Sequence, residues 1–164
     1  MMFNRKLSAL AVVVVMGAMT WLGAGTASAE PQLPRLTTAF TDNVGTLGDH
    51  DSCRGAFNVG MVTPKGKRGI VRFTLTSFGF TGDGAGWRRD PRCRFLVNIS
   101  STSGKAYARQ TFFKVSFGSR KGEKVVRDIH TGSGLALLTI ATFASITKAR
   151  VPQGYGNTMY TVIP

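Results

Sequence analysis

The residues best suited to chemistry lie in the stretch GDHDSCRGAF, residues 48–57. Asp49, His50 and Asp51 bring carboxylate and imidazole groups close to Cys53, one of two cysteines in the chain. A catalytic zinc needs three protein ligands and calcium needs six to eight oxygens, and this stretch lacks the spacing of either site. Aspartate often bonds the backbone of its own turn. We therefore interpret the stretch as a turn before a strand, and predict no metal.

A nucleophilic triad is the second chemistry that the residue types suggest. In RDIHTGSG, Asp128 and His130 are two residues apart, so a strand would place both on one face, with Ser133 just beyond. A serine nucleophile needs a base and an orienting acid, but no G-x-S-x-G turn is present. We predict no catalytic residues and no cofactor. The alternative is a secreted hydrolase whose site is assembled from distant residues.

Basic side chains give the sequence its strongest binding feature. The chain has 21 Lys and Arg against 8 Asp and Glu, a net charge of +13. An arginine beside an exposed aromatic ring can hold a carboxylate or phosphate while the ring stacks on the ligand. The segments WRRDPRCR and KGKRG therefore predict an anion-binding or partner-binding surface made by Trp87, Arg88, Arg89, Arg92, Arg94, Lys65, Lys67 and Arg68. In the alternative interpretation, Trp87 folds over the cysteines and the arginines stay solvated.

The positive charge also restricts the class of partner. A surplus of this size attracts anionic surfaces and polymers, or serves only to keep the protein soluble. For an exported protein the charge favours an anionic cell-wall polymer or a lipid headgroup surface, whereas the predicted export disfavours nucleic acid, which the charge alone would allow. We predict a non-enzymatic protein that binds or organises such a component. A secreted inhibitor or effector that binds a protein partner through a loop or strand edge is a further alternative.

Residues 1–29 have the pattern of a secretory signal peptide. Arg5 and Lys6 precede the apolar run 7–22, and Ala-Ser-Ala at 27–29 supplies the small residues of a cleavage site. The run is shorter than the roughly 20 apolar residues of a spanning helix. We predict removal of this segment, a secreted or extracytoplasmic location and no transmembrane segment in the mature chain.

The two cysteines are predicted to form a disulfide. Cysteines of exported proteins usually pair, and Cys53 with Cys93 would close a loop of about 40 residues that restricts the unfolded chain. A free, reactive thiol is the alternative. Pairing would leave neither cysteine available as a nucleophile.

Short apolar runs separated by glycine-rich turns predict the elements that position these groups. In the run 70–80, Val71, Phe73 and Leu75 alternate with polar residues, which is typical of a strand with one buried face. The run 135–146 is apolar on both faces and predicts a central buried strand. Similar runs occupy residues 56–62, 92–100, 105–117, 124–129 and 160–163.

These runs predict an all-β protein with a single antiparallel β-sandwich of six to eight strands, immunoglobulin-like or similar. A small closed β-barrel is the alternative. Residues 30–43, which contain two prolines, are predicted to be an N-terminal tether, and residues 44–164 the sandwich domain. Residues 81–91 are predicted to form a long loop, and no segment of the mature chain has the pattern of an amphipathic helix.

Overall fold

Two antiparallel β-sheets form the fold. The structure is a computed structural model that describes residues 30, 32–37, 42–104 and 108–164. The predicted signal peptide lies outside these residues. The described residues form nine strands and one short helix: β1 (Leu36–Thr37), β2 (Asn43–Leu47), β3 (Arg54–Val62), β4 (Ile70–Thr81), α1 (Ala85–Arg89), β5 (Cys93–Ser103), β6 (Arg109–Phe117), β7 (Lys124–His130), β8 (Gly134–Phe143) and β9 (Asn157–Ile163).

The strands divide into a five-stranded sheet of order β1-β9-β8-β5-β6 and a four-stranded sheet of order β2-β3-β4-β7. Neighbouring strands pair antiparallel, and the chain crosses between the sheets after β1, β4, β6 and β7. Two separate sheets confirm the predicted sandwich rather than the closed barrel. The strand number exceeds the prediction because the short β1 and β2 carry too few apolar residues to show an alternating pattern.

The core lies between the sheets, and the period-two alternation of the strands fills it. In β4, Val71, Phe73 and Leu75 are fully buried, as their alternation predicts. Near one end of the sandwich the core is aromatic, with ring centroids 5.6–6.2 Å apart. Its four rings belong to Phe57, Phe80, Phe95 and Phe117. Offset aromatic packing at these separations is favourable beyond the burial of area.

The segment 32–37 is part of the sandwich, although the sequence predicts a tether. Leu33 is buried in the core, and its N–H donates to the carbonyl of Met61 in β3. The Arg35 guanidinium donates to the carbonyl of Val59, 2.7 Å away. The chain then passes to the other sheet, where β1 pairs with β9. Pro34 does not prevent this, because proline is tolerated at the edge of a sheet, where it need not donate to the strand ladder.

Several boundaries differ from the prediction, and three of them concern α1, β6 and β8. Residues 85–89 form the short helix α1 inside the predicted loop, where a single turn is too short to show helical periodicity. β6 begins at Arg109, and residues 105–107 lie outside the described part of the chain. β8 is the central strand of its sheet, as predicted, but it ends at Phe143. The outward-facing side chains of β8 are only half-buried, because no element among the described residues packs over that face.

Candidate functional site

The predicted basic residues lie at opposite ends of the sandwich. Trp87 and its arginines follow the end of β4, whereas the turn that carries Lys65 precedes its start. The first and last of the 12 residues of β4 are about 36 Å apart at about 3.3 Å per step, and the two groups lie beyond its opposite ends. The two groups therefore cannot contribute to one binding surface. We call the end that contains the disulfide and residues 48–53, 82–92, 118–123 and 144–153 the disulfide end.

The Cys53–Cys93 disulfide links the two sheets at this end. Cys53 precedes β3 of the four-stranded sheet, Cys93 opens β5 of the five-stranded sheet, and both side chains are fully buried. Gly48 packs directly against the bridge, since a Cβ at this position would lie 2.6 Å from Cys53 Sγ. The predicted pairing is confirmed, and it fixes the position of the loops around it.

Asp49 attaches the loop that follows β8 to this end. Its carboxylate accepts hydrogen bonds from the backbone N–H of Ser145, at 2.8 and 3.0 Å, and from the hydroxyl of the same residue. Its own N–H donates to the carbonyl of Arg94. The carboxylate therefore connects segments 96 residues apart. Residues 49–52 form turns before β3, as we interpreted them from the sequence, and Asp49 also positions a distant loop.

We expect Asp49→Ala to loosen residues 144–150 without unfolding the sandwich. The change removes the acceptor of two donors, and a hydrogen bond to a charged group contributes about 1.5–3 kcal/mol. Amide exchange at Ser145 should therefore accelerate by roughly ten to one hundred times. Asp83→Ala is the control, because it removes the same charge at the same end from an exposed pair with Arg54. Equal exchange at Ser145 in both variants would contradict the anchoring role.

The side chain of Trp87 faces inward. It lies half-buried in α1, packs against the core and has its ring centroid 6.0 Å from that of His50. His50 Nε2 lies 3.1 Å from the carbonyl oxygen of Asp90, which follows the helix. The backbone carbonyl of Asp51 accepts from the N–H of Asp83. The tryptophan thus secures α1 on the turn beside the disulfide, close to the alternative stated for it.

Arg92 and Arg94 already have acidic partners. The Arg92 guanidinium donates to Glu123 at 2.8 Å and to the carbonyl of Ser116 at 2.8 Å, which ties residues 118–123 to the chain before β5. Arg94 donates to Asp90 at 2.6 Å, and half of its side chain is exposed. Arg92 therefore has a structural role, whereas Arg94 retains donors that are free to face solvent.

The remaining cations of the disulfide end are exposed. Arg88 and Arg89 occupy the last turn of α1, and both residues are exposed. Other exposed basic residues of this end are Arg120, Lys121, Lys148 and Arg150. The sequence prediction missed Lys148 and Arg150 because the apolar run before them was extended through Ile146. Because β8 ends at Phe143, the cluster KAR at 148–150 lies in the loop that follows the strand.

At the opposite end of the sandwich, which we call the far end, the turn with Lys65 and Arg68 is exposed, and Lys67 lies 3.3 Å from Asp128. The hydrogen bonds that Asp128 accepts from Arg72, and secondarily from Lys67, hold the pKa of the carboxyl below its ordinary value. Ser133 donates to the carbonyl of Pro164. The acid and the hydroxyl considered for a triad with His130 are therefore engaged in other bonds.

Within residues 30, 32–37, 42–104 and 108–164, no three His, Cys, Asp or Glu side chains cluster closely enough to hold a metal ion. In the same part of the chain, none of the helices is both long and apolar enough to cross a bilayer.

The fold and the candidate site define the class: a disulfide-linked β-sandwich that carries basic loops around the disulfide. Searches against protein-family models, curated proteins and solved structures found no match to this chain.

Proposed function

We propose that this chain is a small exported, non-enzymatic protein that binds an anionic component of the envelope or of the extracellular medium through its disulfide end. One observation carries the proposal: loops distant in sequence converge around the disulfide and hold exposed cations there. Asp49 fixes one loop, Glu123 fixes another through Arg92, and the disulfide fixes the turn before β3. Preorganised cations lose little freedom when an anion binds.

The balance of charge supports this choice of end. Within residues 48–53, 82–92, 118–123 and 144–153 there are seven Lys and Arg against five acids, and three of those acids, Asp83, Asp90 and Glu123, pair with arginines. Arg88 and Arg89 project from α1 toward solvent. An anionic polymer or headgroup surface therefore meets a field that is positive on balance.

The test compares two double variants with the same net charge. Arg88→Gln/Arg89→Gln removes two charges from the disulfide end, and Lys65→Gln/Arg68→Gln removes two from the far end. Each basic residue near an anionic surface contributes about 1 kcal/mol. We therefore expect the first variant to lose roughly tenfold or more in affinity for isolated envelope fractions at low salt. The second should stay within about twofold of the unchanged protein.

Binding of the same proteins to envelope fractions at increasing salt concentrations provides a second readout. Binding should fall steadily as salt rises, because exposed charges are screened beyond a Debye length of about 8 Å at physiological ionic strength. Equal losses in the two double variants would show that net charge alone, not the disulfide end, determines adhesion. Absence of binding at low salt would contradict the proposed function itself.

A further inference from the structure

An open cavity of about 400 Å³ lies on the outer face of the five-stranded sheet at the disulfide end. Its lining residues are Arg94, Lys114, Val115, Ser116, Ser145 and Ile146. The register places Arg94 of β5 directly opposite Ser116 of β6, with Lys114 two residues along on the same face. Two cations and two hydroxyl groups therefore face one space.

The donors in this cavity are only partly used. Arg94 gives one nitrogen to Asp90, and a guanidinium has five N–H donors. The hydroxyl of Ser116 accepts from Arg92 and can still donate. Lys114 is exposed and brings three donors. These groups match the oxygens of a phosphate group, which accept several hydrogen bonds at once.

A third cation extends this surface. The Arg150 guanidinium lies 4.6 Å from the ring centroid of Phe112, which precedes Lys114 by two residues and therefore shares its face of β6. Arg150 belongs to the loop that Asp49 holds in place through Ser145. The loop thus folds back over β6, and its basic side chain lies on the strand that also carries Lys114.

Apolar groups at the cavity distinguish a lipid from a soluble anion. Ile146 lines the cavity and is 74% exposed, and Val151 in the same loop is 47% exposed. A soluble phosphate or a hydrophilic polymer would leave both side chains in water. The interface of a bilayer would cover them while its headgroups meet the cations.

We propose that this cavity binds the phosphate of an anionic phospholipid headgroup, with Ile146 and Val151 inserted shallowly beside it. The proposal rests on the proposed function and names its ligand class. Lys114, Arg94 and Ser116 hold the phosphate oxygens, and Arg150 adds charge at the side. The membrane is engaged by its surface, and the sandwich stays outside the bilayer.

The test is co-sedimentation of the exported protein with vesicles of phosphatidylcholine alone, or with one third phosphatidylglycerol, beside binding to soluble polyphosphate. Lys114→Gln should weaken binding to the anionic vesicles about fivefold. Lys65→Gln, which removes one exposed charge at the far end, should change it less than twofold. Ile146→Ser should weaken vesicle binding about tenfold and leave polyphosphate binding unchanged. All variants share the same N-terminus, so that segment cannot cause the differences.

The possible results separate the two proposals. Equal effects of Lys114→Gln and Lys65→Gln would overturn the cavity as the headgroup site, even if the envelope still binds at the disulfide end. Ile146→Ser without effect on vesicles would overturn the lipid and favour a soluble anion. If the unchanged protein bound neither vesicles nor polyphosphate at low salt, the proposed function would fail together with this inference.

Discussion

Replacing Phe95 by alanine should lower the free energy of unfolding by about 3–5 kcal/mol, the range for truncating a large buried aromatic residue. Phe95 is fully buried and has its ring centroid 5.7–6.2 Å from those of Phe57, Phe80 and Phe117. The change removes the shared contact of three rings and leaves a cavity between the two sheets. Urea unfolding followed by circular dichroism measures the loss.

The control is Phe78→Ala, a change of the same type on the solvent-facing side of β4, where Phe78 is 45% exposed. We expect it to cost less than about 1 kcal/mol. If Phe95→Ala prevents folding, Phe95→Leu keeps most of the volume and should lose clearly less. Equal losses for Phe95→Ala and Phe78→Ala would mean that the rings do not form the centre of the core.

Removing the disulfide should destabilise the protein by a similar amount. The bridge joins residues 40 apart in sequence, and a loop of this length restricts the unfolded chain by about 4 kcal/mol on entropic grounds. Cys53→Ala/Cys93→Ala should therefore lower the urea midpoint. It should also raise the slope of the transition, because the unfolded chain becomes more expanded. An unchanged midpoint would contradict a stabilising role for the bridge.

Burial of the sulfurs adds a kinetic expectation. Both cysteines are inaccessible in the folded protein, so dithiothreitol should reduce the bridge only as fast as the molecule opens. Mass spectrometry after alkylation measures this rate in the absence and presence of urea. Rapid reduction without urea would show that the disulfide end opens separately from the rest of the sandwich.

The disulfide variant also bears on function. The bridge lies at the same end of the sandwich as α1, which carries Arg88 and Arg89, and as the cavity beside Lys114. Its removal should loosen these loops, while the far end, where Arg72 and Lys67 pair with Asp128, depends on other contacts. Adhesion to envelope fractions should therefore fall more than the loss of folded protein accounts for.

The all-β class and most of the strands follow from patterns in the amino-acid sequence. β4 is the clearest example, since the alternation of Val71, Phe73 and Leu75 follows from the period of two that any half-buried strand imposes. The apolar run that became β8 likewise predicted the central position in a sheet. The cysteine pairing followed from the presence of two cysteines in a chain with an export pattern. These inferences need only local patterns or composition.

Which charged groups are paired and which remain exposed depends on the tertiary structure. Arg92 and Glu123 are 31 residues apart, and Asp49 and Ser145 are 96 apart, so no spacing in the sequence reveals either pair. The strand order sets these contacts, because it determines which loops meet at one end. It also separates Trp87 from Lys65 by the length of β4, and brings Lys114 opposite the strand that carries Arg94. Alternation is a local property of a strand, whereas a binding surface is a property of how the strands are connected.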